Sequence, residues 1–287
     1  MKCGFVEKNY LIVLRLMKAT LITGASSGIG EAFARRLAKE KHNLVLVARS
    51  EEKLKELCIE LASKNDIVAE PIALDLSEEG ADEKVFGITE HKGFEINWLI
   101  NNAGFGSMGY FAELDLEREI QMINLNIKAL VALTHRYLGK MKERGEGVVI
   151  NVSSAASFQP LPFMATYAAT KAFVTSFTEA IAEEYRPFGI TIQALCPGPT
   201  KTNFFKAANT ERIMTIKKMQ TPEEVVETAL RAVRKKKMLV ISGLSNKIGA
   251  FFGQITPDWI VTRAVASVLR ARMDKKLEKA EQNGQES

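Results

Sequence analysis

A chain of 287 residues, 46% of them hydrophobic and 25% charged, can bury a large core and has the makeup of an ordinary globular protein, which excludes a disordered or fibrous class. Lysine and arginine outnumber aspartate and glutamate 39 to 34, an excess that attracts phosphates without implying a nucleic-acid groove. The three cysteines, Cys3, Cys58 and Cys196, are scattered with no CxxC spacing, which argues against a disulfide framework or a metal site and points to the cytoplasm.

The first feature is a leader. Leu11-Ile12-Val13-Leu14 forms a short apolar run behind Lys2 and Lys8, but Arg15 interrupts it and no small-residue cleavage site follows. It makes neither a signal peptide nor a membrane span. Residues 1–17 read as an N-terminal extension, with the first sixteen expected to be dispensable for folding.

Strands are then expected at Ala19–Thr23, Asn43–Ala48, Ile67–Leu74, Trp98–Asn101, Gly147–Val152, Ile190–Leu195 and Met238–Ile241. The runs are apolar throughout, as strands buried on both faces should be. Helices are expected between them over Ile29–Glu40, Glu51–Lys64, Leu116–Lys142, Thr166–Tyr185 and Pro222–Val233, the last with Thr221 as N-cap and acids in its first turn. This alternation predicts an α/β fold over residues 18–243, a three-layer doubly wound Rossmann arrangement of about seven parallel strands with helices on both faces. Residues 202–221 break the rhythm after the sixth strand, where an open sheet presents loops beside its ligand crevice, and are expected to cover the substrate. Residues 244–287 read as a C-terminal extension, helical and fraying over Lys275–Ser287.

Thr23-Gly24-Ala25-Ser26-Ser27-Gly28-Ile29-Gly30 joins the first strand to the first helix. Glycines there allow a tight turn and close approach to a pyrophosphate, and the helix supplies free N–H groups and its positive end. Its spacing is GxxxGxG rather than the common GxGxxG, so an ordinary strand–helix loop is the competing reading. Arg49 stands nineteen positions past Gly30, at the end of the second strand, where folds specific for NAD tend to carry an acid for the ribose 2′-hydroxyl. An arginine there pairs with a 2′-phosphate, which favours NADP(H) and leaves NAD(H) possible; the alternative is a solvated arginine at a helix start.

Tyr167 and Lys171 lie four residues apart on a predicted helix and so share a face. A phenol near pKa 10 is a poor base at neutral pH, and a neighbouring ammonium can lower it by stabilising the phenolate.

The order and spacing of TGxxxGIG at Thr23–Gly30, NNAG at Asn101–Gly104, Ser154 thirteen residues before Tyr167, YxxxK at Tyr167–Lys171 and Pro197-Gly198 resemble the short-chain dehydrogenase/reductase family. The resemblance spans roughly Lys18 to Ile241. It implies that Ser154 orients the substrate oxygen, with Ser153 as its neighbour and competitor, and that Tyr167 moves the proton. Lys171 would bind the nicotinamide ribose and depress the tyrosine pKa. It implies a relay asparagine as well, Asn126 by its spacing to Thr134, with Asn124 as the alternative. Cofactor contacts are implied for Gly24, Ser26, Ser27, Gly28, Ile29 and Gly30, for Asp75 and Leu76, for Asn102, Ala103 and Gly104, and for Pro197, Gly198, and Thr200 or Thr202. Asp75 also reads as a helix cap and NNAG as a brace of the central sheet.

The resulting expectation is an oxidoreductase that moves hydride between NADP(H) and a carbonyl or alcohol, acting as a carbonyl reductase of an aldehyde, ketone or 3-oxoacyl group, with a steroid fitting no worse. A non-catalytic dinucleotide-binding sensor or scaffold is the alternative, and the intact Ser154, Tyr167 and Lys171 argue against it. Phe158, Leu161, Phe163 and Met164 line an apolar pocket or belong to the core or a subunit interface. The family implies a homodimer or homotetramer. For the C-terminal extension, packing on its own domain or another subunit is preferred over peripheral membrane contact.

Overall fold

The computed structural model describes residues 16–204 and 219–284, the last thirteen as backbone only. Residues 1–15 of the leader, residues 205–218 of the expected substrate cover and the side chains of the tail therefore lie outside the described residues, while Met17, read as the end of the leader, is the first residue of the first strand. Seven strands form one parallel sheet in the order β3-β2-β1-β4-β5-β6-β7. They are β1 (Met17–Thr23), β2 (Asn43–Ala48), β3 (Ala69–Ala73), β4 (Phe94–Asn101), β5 (Gly147–Val152), β6 (Ile190–Cys196) and β7 (Leu239–Ile241).

Apolar runs become strands here because both sheet faces are covered. Successive side chains point to opposite faces, so Leu44 and Leu46 of β2 enter one core while Val45 and Val47 enter the other. The first core receives Phe33 and Leu37 of α1 (Gly28–Lys39), Leu54 of α2 (Glu51–Asn65) and Leu230 of the helix Pro222–Arg234. The second receives Val85 of α3 (Ala81–His91), Leu133 and Tyr137 of α5 (Leu130–Arg144), and Ile181 of α6 (Ala165–Tyr185). The strand order reverses between β1 and β4, and at such a switch point the strand C-termini open a crevice.

Three elements differ from expectation. Helix α3 was not anticipated, since its buried face is only Ala81, Val85 and Thr89 and Gly87 interrupts it. Strand β4 starts at Phe94, where buried Phe94 and Ile96 alternate with the more exposed Glu95 and Asn97, a half-covered pattern unlike the fully apolar runs. The expected helix Leu116–Lys142 consists of α4 (Leu116–Ile123), a π-helical turn at Asn124–Ala129, and α5.

Thr221 caps α7 (Pro222–Arg234) as expected: its hydroxyl accepts from the Glu224 N–H at 3.3 Å and the Glu224 carboxylate accepts from the Thr221 N–H at 3.0 Å. Helices α8 (Leu244–Ile255) and α9 (Asp258–Gly284) follow β7. Packing on the domain does not account for their large side chains, because Ile248, Phe251, Phe252, Ile255, Trp259 and Val268 are exposed while Leu269 is buried.

Candidate active site

The crevice is built around Thr23. Its hydroxyl accepts the N–H groups of Asn102 and Ala103, each at 2.9 Å, and the Asn102 amide donates to the carbonyls of Thr23 at 2.9 Å and Gly24 at 3.2 Å. The turn after β4 thus clamps the loop after β1, so the Asn102 side chain braces the loop. Asn101 reaches the other way, donating to Thr134 at 2.9 Å and to Asn151 on β5 at 2.8 Å.

Gly24 and Gly28 have φ of +64° and +60°, the left-handed region in which a side chain is strained. A Cβ on Gly30 would lie 2.3 Å from the Gly24 carbonyl and 2.6 Å from the Asn102 amide. We expect Gly30→Ala to cost about 1–3 kcal/mol of stability, as overpacking does, measurable as a lowered midpoint in thermal unfolding. An unchanged midpoint would show that the loop yields there.

These turns leave a site with the donor chemistry for a dinucleotide. Ser27 is the N-cap of α1 but makes no capping bond, so its hydroxyl and the first-turn N–H groups at Gly28, Ile29 and Gly30 are open to an anion. Ser26 lies half-buried in the same loop. Arg49, with 78% of its side chain exposed, holds its Nη1 3.7 Å from Asp75 Oδ2. Asp75 Oδ1 accepts from the Ser77 N–H at 2.9 Å and hydroxyl at 2.7 Å, which closes a local turn; it does not cap the next helix, whose N-cap is Gly80. Burial alone would raise the Asp75 pKa, but the Ser77 bonds and Arg49 outweigh it and hold the carboxyl below its ordinary value. Leu76, the next residue, is buried.

On the far side, Pro197 O accepts the Ala155 N–H at 2.8 Å and Gly198 O accepts the Thr200 hydroxyl at 2.9 Å. Thr202 approaches Gly28, lying 3.0 Å from where a Cβ there would be, so the segment after β6 closes on the phosphate loop. The ends of the expected substrate cover are tied together, with the Lys201 N–H bonded to Gln220 O at 2.9 Å and the Gln220 N–H to Pro199 O at 3.1 Å.

Ser154, Tyr167, Lys171 and Asn126 converge between these walls. Ser154 caps the short turn Ala155–Phe158 after β5, accepting the Ala156 N–H at 3.1 Å, and its hydroxyl faces the Tyr167 phenol closely enough to pull that pKa down. Ser153 points elsewhere, donating to Lys171 O at 2.8 Å and lying 2.7 Å from the Thr175 hydroxyl. The Lys171 ammonium donates to Val152 O at 2.9 Å and lies 5.9 Å from the centre of the Tyr167 ring. Asn126 is buried and Asn124 only half-buried. The Asn126 side chain bonds the backbone of Phe105 on both sides, at 3.2 and 3.1 Å, and the Thr170 hydroxyl at 3.0 Å. Gly104 admits this convergence, since a Cβ there would lie 2.8 Å from Asn126 Oδ1 and 3.4 Å from Lys171 Nζ. The π-helical turn containing Asn126 is a distortion frequent at functional sites.

The electrostatics depart from the expectation that Lys171 lowers the phenol. Burial pushes Tyr167 up to about 12, with the Ser154 hydrogen bond pulling partly back. Burial likewise brings the Lys171 ammonium down to about 8. Desolvation penalises both charged forms. The phenol is therefore held protonated, poised as an acid.

Two neighbours escaped the sequence. Phe204 packs its ring 5.3 Å from that of Tyr167, beside Phe105, Met108, Leu161 and Met164. Of the four apolar residues between the serine and tyrosine motifs, Leu161 and Met164 join this wall, whereas Phe163 meets Tyr110 edge-on at 5.2 Å and the Phe158 carbonyl faces Gly253 of α8. Asn246 of α8 occupies the space beside Gly198, 2.1 Å from a would-be Cβ. No local pattern marks a contact made across such a distance in sequence. Among the described residues no cluster of histidine, cysteine or carboxylates could hold a metal ion.

The comparisons agree with this geometry. The short chain dehydrogenase family model matches residues 18–213. The very-long-chain 3-oxoacyl-CoA reductase of Rattus norvegicus is 32% identical over 276 residues, covering 94% of this chain and 85% of the relative. The 7beta-hydroxysteroid dehydrogenase of Mediterraneibacter gnavus is 35% identical over 232 residues, covering 79% of this chain and 86% of the relative. Among solved structures, a short-chain dehydrogenase from Sphingobium yanoikuyae in complex with NADPH superposes with a TM-score of 0.75 at 32% identity, covering 83% of this chain and 93% of the other. Fold, crevice and sequence together make this chain a member of the short-chain dehydrogenase family, an oxidoreductase acting between alcohol and carbonyl groups.

Proposed function

We propose that the chain reduces a carbonyl on a large apolar substrate, a 3-oxoacyl thioester or a steroid-like ketone, with NADPH as reductant. The observation that carries this reading is the buried Tyr167 phenol set beside Ser154 and Lys171 in a wall of apolar side chains. The names of the relatives, a 3-oxoacyl-CoA reductase and a hydroxysteroid dehydrogenase, support the substrate class.

Bound NADPH would supply the hydride. The α1 N-terminus with Ser26 and Ser27 would receive the pyrophosphate, Arg49 the 2′-phosphate, and Asp75, Leu76, Ala103 and Gly104 the adenosine side. Lys171 would hold the nicotinamide ribose, and Pro197, Gly198 and Thr200 or Thr202 would wall the nicotinamide.

Ser154 then donates a hydrogen bond to the substrate oxygen and fixes it beside Tyr167. Tyr167 gives its proton to that oxygen as negative charge develops. Lys171, still charged below about pH 8, offsets the phenolate left behind. Asn126 positions the π-helical turn against Phe105 and Thr170, on the route by which a proton returns. A pure sensor has no use for this proton-handling set.

The free buried thiols Cys58 and Cys196 support a reducing, cytoplasmic location. Exposed Leu116 and Ile120 of α4 and Phe173 of α6 support a homo-oligomer built on that face.

The test is NADPH oxidation across short aldehydes, 3-oxoacyl thioesters and steroid ketones. The highest kcat/KM is expected for the large substrates, and a preference for short aldehydes would overturn the substrate class. Arg49→Ala is expected to raise the KM for NADPH about tenfold to a hundredfold, equivalent to losing a charge-assisted contact, while leaving the KM for NADH unchanged. Equal effects on both cofactors would remove Arg49 from 2′-phosphate recognition.

A further inference from the structure

Helix α8 is inverted. The side facing the domain carries buried Ala250 and Gly253, with Asn246 seated beside Gly198. The opposite side carries Leu244, Ile248, Phe251, Phe252 and Ile255, each between 52 and 75% exposed. That spacing, four, three, one and three residues, places all five on one stripe of a helix. Trp259 and Ile260 at the start of α9, a few residues on, are also exposed. Contiguous apolar surface of this kind marks an interaction site.

The charges beside it identify the partner. Lys247 and Arg263 are exposed, the Arg263 guanidinium lies 5.4 Å from the centre of the Trp259 ring, and Asp258 is the one acid between residues 244 and 271. A second copy of the chain would bring this basic rim against itself. An anionic bilayer complements both parts, since the stripe enters the boundary between headgroups and acyl chains while Trp259, Lys247 and Arg263 sit at headgroup level. Among the described residues no helix is long and apolar enough to cross a membrane, so such a helix lies in the plane of the surface.

We propose that α8 and the start of α9 dock this protein onto an anionic lipid surface, with the stripe from Leu244 to Ile255 inserted. Helix α8 also rests on the loops that follow β5 and β6, through Gln159 at Gly253 and Gly198 at Asn246. Docking therefore sets the rim of the candidate active site against the lipid, from which an apolar carbonyl substrate can enter; this last consequence rests on the proposed function, whereas the docking does not.

Cosedimentation of the full chain with vesicles tests the docking without reference to turnover. Wild type should pellet with vesicles of 30% phosphatidylserine in phosphatidylcholine and at least fivefold less with phosphatidylcholine alone. F251S/F252S should lose at least tenfold of the bound fraction, and K247E/R263E should lose the preference for phosphatidylserine. Both variants should keep wild-type turnover of a water-soluble ketone, which shows that they fold. Wild type left in the supernatant with both vesicles, or F251S/F252S pelleting like wild type, would overturn the proposal. So would a wild-type oligomer that ignores vesicles and dissociates in F251S/F252S by light scattering, which would make the stripe a subunit interface. Should docking hold while no large carbonyl compound is turned over, the proposed function fails and the docking stands.

Discussion

Tyr167→Phe is expected to lower kcat for carbonyl reduction by about a thousandfold, within the range that a positioned acid contributes, and to leave NADPH binding within about twofold of wild type. The substitution deletes one hydroxyl and keeps the ring, so the packing against Phe204, Met122 and Met164 persists. It also relieves a buried polar group of its hydrogen-bond requirement, with Ser154 still engaged by the Ala156 N–H. Stability should therefore change by no more than about 1 kcal/mol. Steady-state rates, NADPH fluorescence titration and thermal unfolding on one preparation separate these effects. Turnover within tenfold of wild type would remove Tyr167 from proton transfer. The pH profile provides an internal check. With the phenol up at about 12, the acid remains protonated across the neutral range. With Lys171 at about 8, the wild-type rate of reduction should hold below pH 8 and fall above it as the ammonium is lost.

The sheet was legible in the chain because a parallel sheet covered on both faces writes itself as apolar runs. All seven runs became strands, and β2 and β5 kept their expected bounds. Legibility failed where cover was partial. The alternating start of β4 reads like an exposed edge, and α3 presents so narrow an apolar face that its glycine and charges mask it. The site was legible where chemistry depends on spacing along one element, as at Tyr167 and Lys171, or on a turn, as at Gly24–Gly30. Contacts between elements were not. Nothing near Asn246 in sequence points to Gly198, and nothing near Phe204 points to Tyr167. The direction of the tyrosine shift was hidden for a related reason. A four-residue spacing reveals that an ammonium is near a phenol, but the outcome depends on how dry both are, and burial is a property of the assembled fold.

That dryness leads to the second large effect, at Lys171. Its ammonium is buried and its pKa is brought from 10.5 to about 8, so between these values the unfolded chain carries a proton that the folded chain has lost. Stability must then rise with pH from about 8 to about 10.5, and the penalty for keeping the charge in the fold, roughly 3 kcal/mol by linkage, is fully present below pH 8. Lys171→Met keeps most of the volume and removes the charge, at the cost of leaving Val152 O without its 2.9 Å donor, about 1–3 kcal/mol. The variant should consequently be as stable as wild type at pH 7, or up to about 2 kcal/mol more stable, and should lack the rise above pH 8. Its kcat/KM should fall at least a hundredfold, because the ribose contact and the charge opposing the phenolate go together. Urea unfolding of both proteins at pH 7, 8.5 and 10 checks the stability, and the difference between the two curves cancels the titration of every other lysine and tyrosine. Parallel curves would mean that the folded ammonium is not penalised. A variant both stable and inactive would show that this fold tolerates a buried charge for the sake of the reaction and not for its own stability.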